Sequence, residues 1–191
     1  MQSQTDTNRP LYNSAIGVFD SSPDTSLILL LDMKSNGAAM WSLLQQQLEH
    51  FRQKDWLSYW DCRNRRFVSR PLTVVVTGNA PFEMVEANST HRDIFYDAPL
   101  DDIQNPRYTV ENSYYASTSM QASVGWPPAG RFTPRQIKSI KKQISIATEK
   151  RLKARYWNTP NWPISVRNSV WSFLIRSGVG VLNVDDLFEL D

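Results

Sequence analysis

The chain is poor in the residues that most often announce a function. It has one cysteine, Cys62, in 191 residues. A single thiol excludes an internal disulfide and offers neither a CxxC redox pair nor a thiolate zinc site. Only two histidines occur, His50 and His91. No GxGxxG follows an expected strand and no Walker A sequence is present, which weighs against dinucleotide or P-loop nucleotide binding. No apolar run approaches the roughly 18 residues of a membrane span. Residues 1–10 are polar and lack an apolar stretch, so no secretory leader is expected. Lys and Arg number 21 against 19 Asp and Glu, with a pI near 8.7. That balance is too even to call for a polyanionic partner, and no nucleic acid is expected.

What is present suffices for one folded domain. Hydrophobic residues make up 41% and seven tryptophans are included, which favours a packed core over a disordered chain. The organising stretch is Leu27–Leu31, five apolar residues in a row, followed by Asp32 and Lys34. It reads as a strand buried on both faces, as in a parallel sheet. Alternation then sets Asp32 and Lys34 on one side of that strand, at its C-terminal end. In a β/α barrel that end carries the active site; a buried ion pair or a strand-end charge pair facing water remains the alternative.

Residues 1–25 are polar and read as an N-terminal arm, with 26–191 as the domain. Met40, Trp41, Leu44, Leu48 and Phe51 recur at helical spacing over 38–54. An irregular or hairpin-like link over 55–70 leads to a second strand at 72–77 and a short helix at 81–87. Strands at 93–96 and 113–117 follow, then a long loop over 118–132. Thr133-Pro134 caps a helix to about residue 151, with Lys138, Lys141 and Lys142 on its solvated face. A fifth strand spans 152–157, a helix 164–177 and a sixth strand 181–184, after which Asp185 caps a terminal turn. Six strands alternating with helices indicate a parallel α/β architecture. An eight-unit barrel takes about 250 residues, so 191 residues hold about six of its units. The fold class expected is α/β, of the (β/α)8 TIM-barrel type, two units short.

Taken together, the segments 30–37, 70–79, 92–100, 112–117, 153–160 and 178–186 resemble the fungal altered-inheritance-of-mitochondria protein 6 family. That family is grouped with the phospholipase C-like phosphodiesterases. The resemblance implies that the Asp32-x-Lys34 strand is the third of eight. It implies that Asp32 binds a divalent cation, usually Mg²⁺, and that Lys34 contacts the phosphate of a phosphodiester or phospholipid substrate. It also implies that Trp157 lines the pocket and that Asn183 sits near the same mouth. Hard cations take oxygen ligands, and Mg²⁺ uses one or two carboxylates plus substrate phosphate. The family name suggests mitochondria.

The family's acid–base histidine pair and its Glu-x-Asp motif belong to the first two strands, which are expected to precede this chain. Neither His50, on the first helix, nor His91, before a strand, takes their place. The expectation is therefore no catalytic pair, weakly held Mg²⁺ and little hydrolysis, or else a non-catalytic binding or scaffold domain, or a truncated gene product. Arg155 shares the parity of Lys153 and Trp157 and is a candidate phosphate ligand. Asp97, at a strand's C-terminal end, is a candidate for the mouth, whereas Asp93, Asp185 and Asp186 read as strand- or helix-start residues. Trp126-Pro-Pro reads as a lid, a lipid-contacting loop or a rigid crossing. The strands that would flank the missing units would be left as open edges, so self-association is expected.

Overall fold

The computed structural model describes residues 17–19 and 21–184. Most of the polar arm, and Asp185 and Asp186, lie outside the described residues. Nine strands and five α-helices are described: β1 (Leu27–Met33), α1 (Gly37–Gln53), β2 (Tyr59–Asp61), β3 (Arg66–Val68), β4 (Leu72–Gly78), α2 (Phe82–Glu86), β5 (His91–Arg92), β6 (Ile94–Pro99), β7 (Ser113–Ser119), α3 (Met120–Ser123), α4 (Pro134–Glu149), β8 (Lys153–Trp157), α5 (Ile164–Arg176) and β9 (Val181–Leu182).

Six of the strands form one sheet in the order β1-β4-β6-β7-β8-β9, and every pair in it is parallel. The protein is thus mixed α/β, with a curled parallel sheet that is consistent with an incomplete barrel. One side of the sheet packs against helices in two adjoining cores. Leu29, Leu31, Met33, Val74, Val76 and Ile94 meet Leu48 of α1 and Val85 of α2. Ala98, Ala116, Ala154 and Tyr156 meet Ile140 and Ile144 of α4 and Val170 and Leu174 of α5. The alternate residues face the concave side, here called the lumen.

The helices form where their patterns allow. Asn36 caps α1 by accepting from the Ala39 N–H at 3.1 Å. Thr133 and Gln136 make a reciprocal capping box at the start of α4, with Pro134 at the first helical position. Lys138, Lys141 and Lys142 are exposed, as the solvated face required.

Several local expectations are corrected. β1 is not buried on both faces: it is the edge of the sheet, and its residues before Met33 are half-buried or exposed. The last strand is two residues long, and Asn183 lies just beyond it. The link over 55–70 is ordered, since β2 and β3 pair antiparallel and β5 joins β2 to make a second sheet, β3-β2-β5. The loop over 118–132 contains α3 and a 3₁₀ turn, Pro128–Gly130. Asp93 caps nothing; its carboxylate accepts from Arg52 Nε at 2.6 Å and ties α1 to the sheet.

The small sheet closes the lumen from below. Phe67 of β3 stacks on Phe95 and Tyr114, at ring separations of 5.5 and 5.9 Å. A bulge between β6 and β7 puts Tyr114 out of register, and its ring lies 5.4 Å from that of Tyr115. The floor is therefore aromatic, and the lumen opens at the C-terminal ends of the strands.

Candidate functional site

At that open end lies a cleft of about 830 Å³, lined by Leu30, Asp32 and Lys34 from β1 and the turn after it, Thr77 and Gly78 from β4, Arg155 and Trp157 from β8, Asn183, and loop residues including Trp126 and Asn158. The structure thus gathers Asp32, Lys34, Arg155, Trp157 and Asn183 around one opening. Two-residue alternation explains the grouping, because Leu30 and Asp32 project on the side opposite Leu31 and Met33, which pack under α1.

Gly78 makes room for Asp32. It has φ +69°, and a Cβ placed there would meet Asp32 Oδ1 at 2.4 Å. A side chain would be strained by the left-handed backbone and blocked by the carboxylate. Asn79 then ties the two strand ends together: its N–H donates to the Met33 carbonyl at 2.8 Å and its Nδ2 to the Lys34 carbonyl at 3.2 Å.

Lys34 Nζ lies 2.5 Å from Asp32 Oδ2, with the lysine side chain 83% and the aspartate 45% exposed. An ion pair this wet adds about 0–1 kcal/mol to stability, so its placement at the mouth is not explained by a structural need. Arg155 is more enclosed. Its Nη2 donates to Asn183 Oδ1 at 2.6 Å, and its Nη1 stands 3.8 Å from Asp97 Oδ2. Asn183 therefore acts on Arg155 first and on the cleft second.

Asp97 does not line the cleft. It sits beneath Arg155 with its side chain 1% exposed. Neither of its oxygens makes a hydrogen bond of acceptable geometry, and the Ser117 hydroxyl nearby is likewise unpaired among the described residues. Burial pushes its carboxyl above the usual carboxylate range, while the Ser117 and Thr77 hydroxyl dipoles and the Arg155 charge act in the opposite direction. Burial also pushes the Tyr115 phenol up to about 12. The lumen under the mouth is therefore a poorly hydrated place in which the Ser117 and Thr77 hydroxyls, and after them the Arg155 cation, offset the cost of a carboxylate.

The two histidines are elsewhere. His50 is on α1 against Phe51, and His91 stacks on Tyr59 at 4.1 Å in the small sheet; neither lines the cleft. Among the described residues Asp32 is its only carboxylate. No group of three or more His, Cys, Asp or Glu side chains suited to a metal ion occurs among the described residues. With Asp32 already paired to Lys34, this donor set does not fit a resident Mg²⁺, and no chemical step is derived through one.

Thr77 and Asn158 are cleft residues that the sequence reading does not name, whereas Trp126, read as part of a lid, a lipid-contacting loop or a rigid crossing, lines the cleft. Thr77 carried a signal, being two residues past Val75 on a strand whose end was recognised. Asn158 adopts φ 52°, a conformation asparagine tolerates well. Its Nδ2 donates to Gln121 Oε1 at 3.0 Å, and its carbonyl accepts from Trp126 Nε1 at 3.2 Å, joining the loops after β7 and β8.

A family model of the AIM6-like phosphodiesterase domain matches residues 1–97, the half of the chain that holds Asp32, Lys34 and Asp97. The chain belongs to this family. Among its relatives, the altered inheritance of mitochondria protein 6 homolog of Arthroderma benhamiae is 38% identical over 174 residues, covering 90% of this chain and 54% of that protein. The altered inheritance of mitochondria protein 6 of Eremothecium gossypii is 34% identical over 90% of this chain and 47% of its own length. That of Saccharomyces cerevisiae is 31% identical over 90% of this chain and 49% of its own length. This AIM6-like chain therefore spans about half the length of the curated relatives it matches. No solved structure matches it. No helix among the described residues is long and apolar enough to cross a membrane.

Proposed function

We propose that the cleft binds a phosphodiester, of the glycerophosphodiester or phospholipid type, and that the chain is a phosphoric diester hydrolase-like domain built on part of a TIM barrel. The observation that carries this reading is the meeting of two cations, Lys34 and Arg155, at one cleft beside Trp157. In this reading Arg155 presents a planar fork to the phosphate, aimed by Asn183 and Asp97, while Lys34 supplies a mobile point charge. Trp157 offers an apolar wall to the alcohol that the phosphate esterifies. Asp32 restrains Lys34 and is the one group that could share a divalent cation with a bound phosphate, so any Mg²⁺ is held weakly and with the ligand.

Titration calorimetry with glycerophosphocholine, with and without Mg²⁺, tests the reading. Binding weakened about tenfold by Arg155→Ala or Lys34→Ala is expected, since a charge-assisted hydrogen bond contributes about 1.5–3 kcal/mol. Parental affinity in both variants would sink it. The placement of both histidines away from the cleft favours a second reading, in which these 191 residues bind without efficient turnover. Mg²⁺-dependent hydrolysis by this chain, abolished by Asp32→Ala, would overturn that second reading. The outer edges of β1 and β9 carry no strand partner among the described residues, which supports self-association. Sedimentation velocity should show association rising with concentration, and a sharp monomer at all concentrations would count against it.

A further inference from the structure

The mouth of the cleft bears exposed tryptophans. Trp126 is 48%, Trp157 44% and Trp162 73% exposed, and Ile164, two residues past Trp162, is 50% exposed. Trp126 and Trp162 stand on the loops after β7 and β8, both at the C-terminal end of the sheet. These loops make one surface. The indole of Trp126 donates to the Asn158 carbonyl, and the 3₁₀ turn after it packs on α5, where a Cβ on Gly130 would come 3.0 Å from Val166. Pro127, Pro128, Pro160 and Pro163 stiffen both loops.

The charge on the β7–β9 side of this rim is one-sided, whereas the opposite side carries Asp32 and, just after β6, Asp101 and Asp102. Residues 112–184 contain eleven Lys or Arg and a single acidic residue, Glu149, although the whole chain is nearly balanced. Glu149 closes α4, a helix of 16 residues whose other end starts at the mouth, so it lies about 24 Å from the rim. Stretches 120–135 and 157–167 contain no acidic residue. Arg131 and Arg135 are exposed on the first of them.

We propose that this rim docks on an anionic phospholipid surface, with Trp162 and Trp126 entering the headgroup layer and Arg131 and Arg135 meeting lipid phosphates. Tryptophan is suited to that layer because its ring is apolar and its N–H is polar. Arginines outside the layer add attraction to anionic lipid, which falls with salt. A single-stranded nucleic acid would call for aromatic platforms strung along a basic groove, whereas these rings ring an opening. Docked so, the cleft faces the bilayer. This goes beyond phosphodiester recognition by saying from which surface such a group is met, and it stands or falls without Arg155 or Lys34.

The test uses the full chain and vesicles of phosphatidylcholine alone or doped with phosphatidylserine. Cosedimentation should be about tenfold stronger with the anionic vesicles, should weaken as salt rises, and should bring a blue shift of tryptophan emission. Trp162→Ala and Arg131→Glu/Arg135→Glu should each reduce it about tenfold, while Lys138→Glu/Lys141→Glu, on the flank of α4, should reduce it less. Glycerophosphocholine titrations of the Trp162 and Arg131/Arg135 variants should match the parent, which separates failure of docking from failure of the cleft. Equal binding to neutral and anionic vesicles, or parental binding by the Trp162 and Arg131/Arg135 variants, would overturn the proposal. So would binding of RNA through these residues with no binding to vesicles.

Discussion

The two ends of the lumen are made by the same faces of the same strands, yet they differ in kind. On β6, Phe95 belongs to the floor and Asp97, two residues later, lies buried just beneath the mouth. The floor is a stack of rings, with Phe95 and Tyr114 at 6.1 Å and Phe67 of the small sheet packed on both. The mouth holds Asp32, Lys34, Arg155 and Asn183 around open space. Water access explains the difference. A charge at the open end keeps much of its hydration, whereas one at the floor would have to be desolvated against aromatic rings. Asp97 marks the boundary, since it is buried like the floor but ionisable like the groups of the mouth, and Arg155 stands over it.

Breaking the floor should have the largest effect. Phe95 is fully buried, and Phe95→Ala is expected to cost about 3–5 kcal/mol in urea unfolding. A loss below about 1 kcal/mol would mean that the rings are not packed as a floor. Next comes Arg155→Ala, which removes the mouth's enclosed cation and exposes Asp97 to an uncompensated burial. It should lower glycerophosphodiester affinity about tenfold and also destabilise the fold, with Arg155→Lys restoring little of the affinity because an ammonium lacks the fork. If Lys restored all of it, only the charge of Arg155 would matter.

Asp97→Asn sharpens the boundary, and here the sign can be worked out. Burial holds the folded-state pKa of Asp97 above its ordinary value. Such a group stabilises the fold below its unfolded pKa, and that contribution is lost as pH rises through the folded pKa. Ionisation of Asp97 as the pH rises through that folded-state value therefore weakens the fold. Asp97→Asn should melt higher than the parent near neutrality, and the gap should close in mild acid. A variant that melts lower at neutrality would show that pairing with Arg155 outweighs burial. The smallest effect on stability is expected from Lys34→Ala, within about 1 kcal/mol because its pair with Asp32 is exposed. A larger loss would make that pair part of the framework.

Much of the frame was legible in the chain. Five apolar residues before Asp32, and Val74–Val76 before Thr77, mark strands of a parallel sheet, and the helical spacing of Ile140, Ile144 and Ala147 marks α4. Two-residue alternation alone places Asp32 with Lys34, and Arg155 with Trp157. The small sheet was not legible, because strands of two or three residues such as His91–Arg92 or Arg66–Val68 are too short to show a period. Nor was the bulge that brings Tyr114 into the lumen.

The order of apolar and polar residues along the chain determined which segments become strands and helices, and which side chains share a strand face, because backbone geometry repeats every two or 3.6 residues. Only the tertiary structure decided that Asp97 lies under Arg155, across the intervening β7, and that Asn183 reaches the same guanidinium from beyond a strand 28 residues away. Contacts of that kind depend on strand order and sheet curvature, which no local period encodes.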